Sequence, residues 1–169
     1  MKLLAFFAVI AIAVGVFVVL TRGSSSHGGV VARVIDGDTI ELASGQRVRL
    51  VQIDTPEKLT ECYGEAASEL TRSILPPGTH VRIELDPHLD HVDRYRRQLG
   101  YVWKGSEDVN LTLVRNGAAG VWFFGGKQGR YAGAFLAAAE QARAAHKGLW
   151  GACPLARFDP LSSMSSGSA

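Results

Sequence analysis

The chain has 169 residues, a formal net charge of +2 and two cysteines. This length leaves room for one domain with short extensions, and no internal repeat is visible. Two cysteines are too few ligands for a cysteine-based zinc site. The mild net charge does not by itself indicate a polyanionic partner.

The chain begins with an apolar run, Leu3 to Leu20, that carries no charge. At about 1.5 Å per residue it reaches roughly 27 Å, close to the thickness of a bilayer core. The run is longer than a usual signal-peptide core, and no small-x-small cleavage site follows it cleanly. These features favour an uncleaved transmembrane signal anchor at 1–22, with a cleaved signal peptide as the alternative. We therefore expect the rest of the chain to be tethered outside the cell membrane or secreted.

The next residues, 23–29, are small and polar and are predicted to form a flexible linker. From Val34 onward, apolar and β-branched residues predict three strands separated by turns. The strands are expected at Val34-Ile35, Thr39–Leu42 and Val48–Ile53, with turns at Gly37 and Ser44-Gly45.

Polar residues occupy the ends of these strands. Asp38 begins the second strand, Arg49 lies inside the third, and Asp54 and Glu57 follow it. If the strands pair as a meander, three carboxylates and one arginine meet at one place. Carboxylates are ligands for hard cations, a free carboxylate is a general base, and an arginine fork binds phosphate, so phosphodiester hydrolysis is indicated. The alternative is an ordinary turn followed by an ordinary strand exit.

The motifs IDGDT and RLVQIDTPE are similar to those of the staphylococcal-nuclease (thermonuclease) family. The resemblance continues through CYGEAAS, DRYRRQLGYVW and VNLTLVRNGAA, and covers about Val30 to Trp150. It implies an α+β fold, a five-stranded OB-type β-barrel with three packed helices, over residues 30–153. It also implies a monomeric, calcium-dependent nuclease of DNA or RNA that cleaves the P–O5′ bond and leaves 3′-phosphates.

Matching motif by motif, the resemblance implies roles for six residues. Asp38 and Asp54 resemble the calcium carboxylates, Thr55 the residue that gives a carbonyl to the metal, Glu57 the general base, and Arg49 and Arg97 the phosphate-binding arginines. Two other classes remain open. A non-catalytic nucleic-acid-binding module of this fold would not need the carboxylates and arginines, and a structural calcium-binding domain would not need the arginines.

The remaining elements follow from periodicity and from glycine and proline punctuation. We expect helices near 66–75, 110–116 and 132–145, strands at 80–85 and 98–104, an extended piece at 118–124, and a disordered tail at 154–169.

The loop 86–97 is polar and basic. His88, Asp90, His91 and Asp93 could suggest a second metal site, but histidines and aspartates on a polar loop are usually solvated. Arg94 and Tyr95 precede Arg97 and are predicted to bind substrate with it. Arg96 stands where the family often has glycine, so a positive φ there would strain the loop.

Phe123 falls near the first of two family tyrosines that contact a bound nucleotide, and a glycine falls near the second. Phe123 is predicted to stack on an unpaired base without a hydroxyl to bind phosphate, which favours endonucleolytic cutting. The alternative is that at least one of Trp122, Phe123 and Phe124 is core. Cys62 and Cys153 are predicted to form a disulfide, because an even count in an exported chain favours one.

Overall fold

The computed structural model describes residues 25–168. Within that range the strands are β1 (Ser26–Val34), β2 (Thr39–Leu42), β3 (Arg47–Leu50), β4 (Ile53–Asp54), β5 (His80–Glu84), β6 (Gln98–Lys104), β7 (Glu107–Asp108) and β8 (Gly120–Val121). The helices are α1 (Gly64–Ile74), α2 (Val109–Arg115), α3 (Ala132–Ala144) and the short α4 (Leu149–Ala152), with a 3₁₀ turn at Phe124–Gly126.

Five of the strands close into a barrel. The order is β3-β2-β1-β5-β6, and a parallel pairing of β3 with β6 closes it, with Arg49 opposite Leu99. β7 extends the sheet beyond β6. The predicted five-stranded OB-type barrel with three packed helices is therefore confirmed.

The barrel is filled by the apolar alternation of its strands. Ile40, Val48, Leu50, Ile83 and Val102 are all fully buried. Full burial of such a side chain stabilises the fold by about 1.5–3 kcal/mol relative to exposure. α2 and α3 cover one side of this core with the buried Leu113 and Phe135.

Helix α1 is attached to the turn that carries the candidate site. The Thr71 hydroxyl donates to the Gly37 carbonyl at 2.6 Å. A Cβ at Gly37 would lie 2.6 Å from Oγ1 of Thr55, so glycine is needed for this close approach. The turn between β1 and β2 is thus held between α1 and the end of β4.

The third predicted strand is wrong in its length. It breaks after Leu50, and Gln52 has a φ of +65°, in the left-handed region. Ile53 and Asp54 then pair with Val121 and Gly120 as a separate ladder. The break is stabilised by the buried Gln52 side chain, which donates to the Lys127 carbonyl at 3.0 Å and accepts from the Gly129 N–H at 2.7 Å.

The flexible linker predicted at 23–29 is wrong for its second half, because Ser26–Gly29 pair with β5. Main-chain pairing needs no particular side chain. At Gly29 glycine is required, because a Cβ would lie 2.7 Å from a methyl of Leu42. The predicted signal anchor lies outside the described residues, and no helix within residues 25–168 is long and apolar enough to cross a membrane.

The disordered tail predicted at 154–169 is also wrong over its described part. Arg157 bridges to Ser165, and Ser168 bridges to Glu61. The predicted disulfide is present, with the Cα atoms of Cys62 and Cys153 5.9 Å apart. It attaches the start of the tail to the loop between β4 and α1.

Candidate active site

Asp38, Arg49 and Asp54 form one buried cluster at the strand ends, as the meander predicted. Arg49 Nε forms an ion pair with Asp38 Oδ1 at 2.9 Å, and Arg49 Nη2 donates to Asp54 Oδ1. The side chains of Asp38, Arg49 and Asp54 are 7%, 9% and 16% exposed. Little water therefore screens their interaction.

Most of the hydrogen-bonding capacity of Arg49 is used within the protein. Besides the two carboxylates, its Nη1 donates to the carbonyls of Leu50 at 2.6 Å and Ile53 at 2.9 Å. A guanidinium has five N–H groups, so in the described part of the chain two make no hydrogen bond: one on Nη2, and the one on Nε, which is ion-paired with Asp38. In this structure Arg49 chiefly fixes the two carboxylates and the broken strand end.

Thr55 fixes the other oxygen of Asp38. Its main-chain N–H and its hydroxyl donate to Asp38 Oδ2 at 2.9 and 3.0 Å. The carboxylate of Asp38 is consequently held on both sides, with Thr39 Oγ1 a further donor to Oδ1 at 3.2 Å.

Arg97 joins the same cluster through Thr39. Its Nη1 donates to Thr39 Oγ1 at 3.3 Å, and its Nε donates to Asp93 Oδ2 at 2.7 Å. Three of its five N–H groups have no partner within residues 25–168, and its side chain is 25% exposed. Arg97 is thus the more available of the two arginines for a phosphate. Thr39 links the two arginines, because its hydroxyl accepts from Arg97 and donates to Asp38, which is paired with Arg49. The sequence did not single it out, because threonine is common in strands and needs no functional role there.

The loop before Arg97 takes the strained form considered from the sequence. Arg96 has a φ of +63°, and Asp93 stabilises the turn by accepting from the main-chain N–H of Arg96 at 3.0 Å and of Arg97 at 2.9 Å. Tyr95 is 63% exposed, with the guanidiniums of Arg94 and Arg97 4.7 and 5.3 Å from its ring centre. The strain does not displace Arg97 from the cluster.

Glu57 lies apart from these bonds. Its side chain is exposed, and its main-chain N–H donates to Glu61 Oε2 at 2.7 Å. It is close enough for its charge to act on Asp54, whose pKa it helps to raise. A solvated carboxylate next to the cluster is free to accept a proton from water.

Burial raises the pKa of two acidic residues in this region, Asp54 and Asp36. It is the main cause that raises the pKa of Asp54 to about 7, with repulsion by Asp38 adding to it and Arg49 opposing it. Burial likewise raises the pKa of Asp36 to about 6, again with repulsion by Asp38. Asp36, two residues before Asp38, was not singled out from the sequence, although IDGDT places it there.

The residues present fit a hard cation. Asp38 and Asp54 offer carboxylate oxygens, and the acidic Asp36 and Glu57 lie close enough to act on them, so four acidic side chains stand against two arginines. No group of three or more His, Cys, Asp or Glu side chains in residues 25–168 could hold a metal ion by itself. A cation at this site would therefore need the Thr55 carbonyl, water and substrate oxygens as well.

A cavity of about 340 Å³ opens beside the two arginines. Its walls include Arg49, Arg97, Leu89, Leu99, Tyr95, Trp122 and Phe124. Phe123 is not among them; it is 1% exposed and belongs to the core, so its predicted stacking role is wrong. Phe124, 68% exposed and edge-on to Trp122 at 5.5 Å, presents the available ring. The sequence VWFF does not indicate which of its three aromatic side chains lies in the core and which faces solvent, because all three are apolar.

The polar loop 86–97 uses its acidic and histidine side chains in separate contacts. Asp86 accepts from His88 Nδ1 at 3.0 Å, Asp90 pairs with Lys127 at 2.8 Å, and Asp93 pairs with Arg97.

Fold and site together define an OB-type barrel with a carboxylate–arginine cluster at its strand ends. Residues 47–152 match the family described as "Staphylococcal nuclease homologue". The chain belongs to this family.

Three relatives illustrate the range of similarity. A thermonuclease of Staphylococcus intermedius is 40% identical over 102 residues, which are 56% of this chain and 59% of that protein. A thermonuclease of Staphylococcus hyicus is 34% identical over 128 residues, 71% of this chain and 73% of that protein. Endonuclease YhcR of Bacillus subtilis is 32% identical over 155 residues, 82% of this chain but 12% of that protein. The chain therefore spans between about an eighth and three quarters of these relatives.

Proposed function

We propose that this protein is a calcium-dependent endonuclease that hydrolyses phosphodiester bonds of DNA or RNA. The observation that carries the proposal is the placing of Asp38, Arg49, Asp54 and Arg97 in one bonded cluster at the mouth of an aromatic cavity. A plain structural ion pair would not need a second arginine with free N–H groups. The names of the two thermonucleases and of the endonuclease among its relatives support the same class.

The proposed mechanism divides the chemistry among this chain's residues. Asp38 and Asp54, with the Thr55 carbonyl, would hold calcium, which when bound polarises the phosphate. Glu57 accepts a proton from the attacking water, and the water oxygen forms a bond to phosphorus. The P–O5′ bond breaks, and the leaving O5′ takes a proton from solvent water, which gives a 5′-hydroxyl and a 3′-phosphate.

The arginines act on the charge that develops on the phosphate oxygens. Arg97 has three N–H groups to give and lies on the open side of the cluster, so it supplies the bidentate fork. Arg49 adds the remaining N–H of its Nη2 and keeps the carboxylates in place. Donors fixed before the reaction stabilise the transition state without reorganisation.

The cavity would bind an unpaired base next to the scissile phosphate. Tyr95 and Phe124 offer exposed rings, and base stacking requires only an accessible π-face. A base in a duplex is already stacked, so single-stranded or frayed substrate is preferred. We further propose that the nuclease acts as a monomer outside the cell, membrane-tethered or secreted, in keeping with the N-terminal apolar run and the disulfide.

The metal requirement is tested with Asp38→Ala and Asp54→Ala. Calorimetry measures calcium binding, and hydrolysis of single-stranded DNA and of RNA is followed in parallel. Both variants should lose calcium binding and turnover together. Glu69→Ala, which removes a 71% exposed carboxylate on α1, is the matched control and should behave as wild type. Unchanged calcium binding or turnover in either aspartate variant would contradict the mechanism.

A further inference from the structure

The segment 160–168 follows the region that matches the family and runs along the edge of the candidate active site. It contains no helix and no strand longer than a single bridge. Ordering such a segment costs about 1–2 kcal/mol per residue in main-chain entropy, so contacts must offset that cost. The contacts it makes are specific and involve the catalytic candidates.

The chain from Cys153 to Gly167, which contains this segment, is attached to the loop between β4 and α1 at both of its ends. Upstream, the Cys62–Cys153 disulfide brings the chain to this loop. Downstream, Gly167 accepts from the Cys62 N–H at 2.9 Å, and the buried Ser166 hydroxyl donates to the Cys62 carbonyl at 2.6 Å. The chain therefore leaves from Cys62 and returns to it, which lowers the entropy lost in ordering the residues between.

Between these attachments the segment reaches Asp54. The main-chain N–H of Met164 donates to Asp54 Oδ2 at 2.7 Å, while Arg49 holds Oδ1. The two bonds fix both oxygens of the carboxylate, so its plane cannot rotate freely. The sulfur of Met164 fills the space above Gly120, where a Cβ would lie only 2.7 Å away.

The charge of the segment argues against a blocking role. Residues 160–168 contain no lysine, arginine or histidine, so they bring no cation to compete at the carboxylates. A single N–H uses one lone pair of Oδ2 and leaves the others for a metal.

We propose that the Met164 N–H is a positioning group that holds Asp54 in the orientation in which it binds calcium. This inference rests on the proposed function. Groups that hydrogen-bond to a metal's ligands commonly change metal affinity 10- to 100-fold when removed. Loss of this N–H should weaken calcium binding by about tenfold or more. The KM for DNA should stay unchanged, because Arg97 and the cavity are untouched, and raised calcium should restore kcat.

The test compares three variants of the full chain in detergent. Met164→Pro removes the N–H, whereas Met164→Ala keeps it. Ser163→Pro introduces the same residue one position earlier, where the N–H has no partner within residues 25–168. Calorimetry with calcium alone, without nucleic acid, is the main readout, and thermal unfolding in chelator checks the fold. Only Met164→Pro should lose calcium affinity. A chain ending at Leu161 should also lose calcium affinity, and it replaces Met164→Pro in the comparison if that variant does not fold.

The inference is overturned if Met164→Pro and the shortened chain bind calcium as the wild type does. It is also overturned if the shortened chain cleaves nucleic acid faster than the wild type, because the segment would then block the site. Equal losses in all three point variants also contradict it, because the effect would then be general damage to the segment. If wild type itself neither binds calcium nor cuts nucleic acid, the proposed function fails first, which separates the two cases.

Discussion

Arg49→Lys should lower both stability and turnover, whereas Arg97→Lys should lower turnover with little effect on stability. Arg49 donates three hydrogen bonds and forms an ion pair with Asp38, in a site where its side chain is 9% exposed. A lysine ammonium is one nitrogen with three donors, and it cannot reach both carboxylates and both carbonyls. We expect about two bonds to be lost.

The magnitude follows from the strength of such bonds. A hydrogen bond to a charged group contributes roughly 1.5–3 kcal/mol, so two of them amount to at least about 3 kcal/mol. For a domain of this size, each kcal/mol corresponds to about 2–4 °C in Tm, which gives a fall of about 6–12 °C. Arg97 is more exposed and has one ion pair, with Asp93, so its replacement should cost less than about 1 kcal/mol.

Calorimetric unfolding in chelator and initial rates in calcium measure the two effects separately. Both variants should lose turnover by about 10²-fold or more, as expected for removal of a preorganised donor. Arg72→Lys, at an exposed pair on α1, should change neither quantity. An Arg49→Lys variant that unfolds at the wild-type temperature would refute the idea that Arg49 holds the cluster together. Wild-type turnover in Arg97→Lys would reduce Arg97 to part of a basic surface.

Three further predictions follow from the disulfide, the cavity and the buried carboxylate. Reducing Cys62–Cys153 opens a loop of 91 residues, so the free energy of unfolding should fall by on the order of 4–5 kcal/mol in the chain-entropy model. An unchanged midpoint of urea unfolding after reduction would contradict this. Phe124→Ala should raise the KM for single-stranded DNA several-fold with little effect on stability, consistent with about 1–3 kcal/mol per stacked base. Phe123→Leu should instead lower stability, because Phe123 is buried in the core. The reverse pattern would contradict the assignment of Phe124 to the cavity and Phe123 to the core. The folded pKa of Asp54 is about 7, above its ordinary 3.8, so between these values the folded chain binds a proton that the unfolded chain has lost. The contribution of Asp54 to stability in chelator should therefore fall as pH rises from about 4 to 7. The same pH dependence of stability in Asp54→Asn would contradict this prediction.

The strand ends were predictable because their signal is local. Apolar alternation identified the strands. With Asp38 and Asp54 at strand ends and Arg49 inside the third strand, strand pairing was enough to bring the three side chains together. Two cysteines left a single possible disulfide.

The parts that sequence reasoning missed depend on main-chain contacts. Ser26–Gly29 enter a strand through backbone pairing, and Gly29 is required by the position of Leu42. Met164 reaches Asp54 through its N–H, which every residue except proline has, so no residue type marks the contact. A serine-rich composition predicts disorder when it is considered alone, and here the disulfide and the bonds to Cys62 outweigh it.

The most direct test is the time course of products from end-labelled single-stranded DNA with the purified protein. In calcium, internal fragments ending in 3′-phosphates should appear first, and chelator should stop their formation until calcium is restored. The absence of cleavage in calcium, or cleavage that continues in chelator, would contradict the central claim. Early release of mononucleotides from the labelled end would contradict its endonucleolytic part.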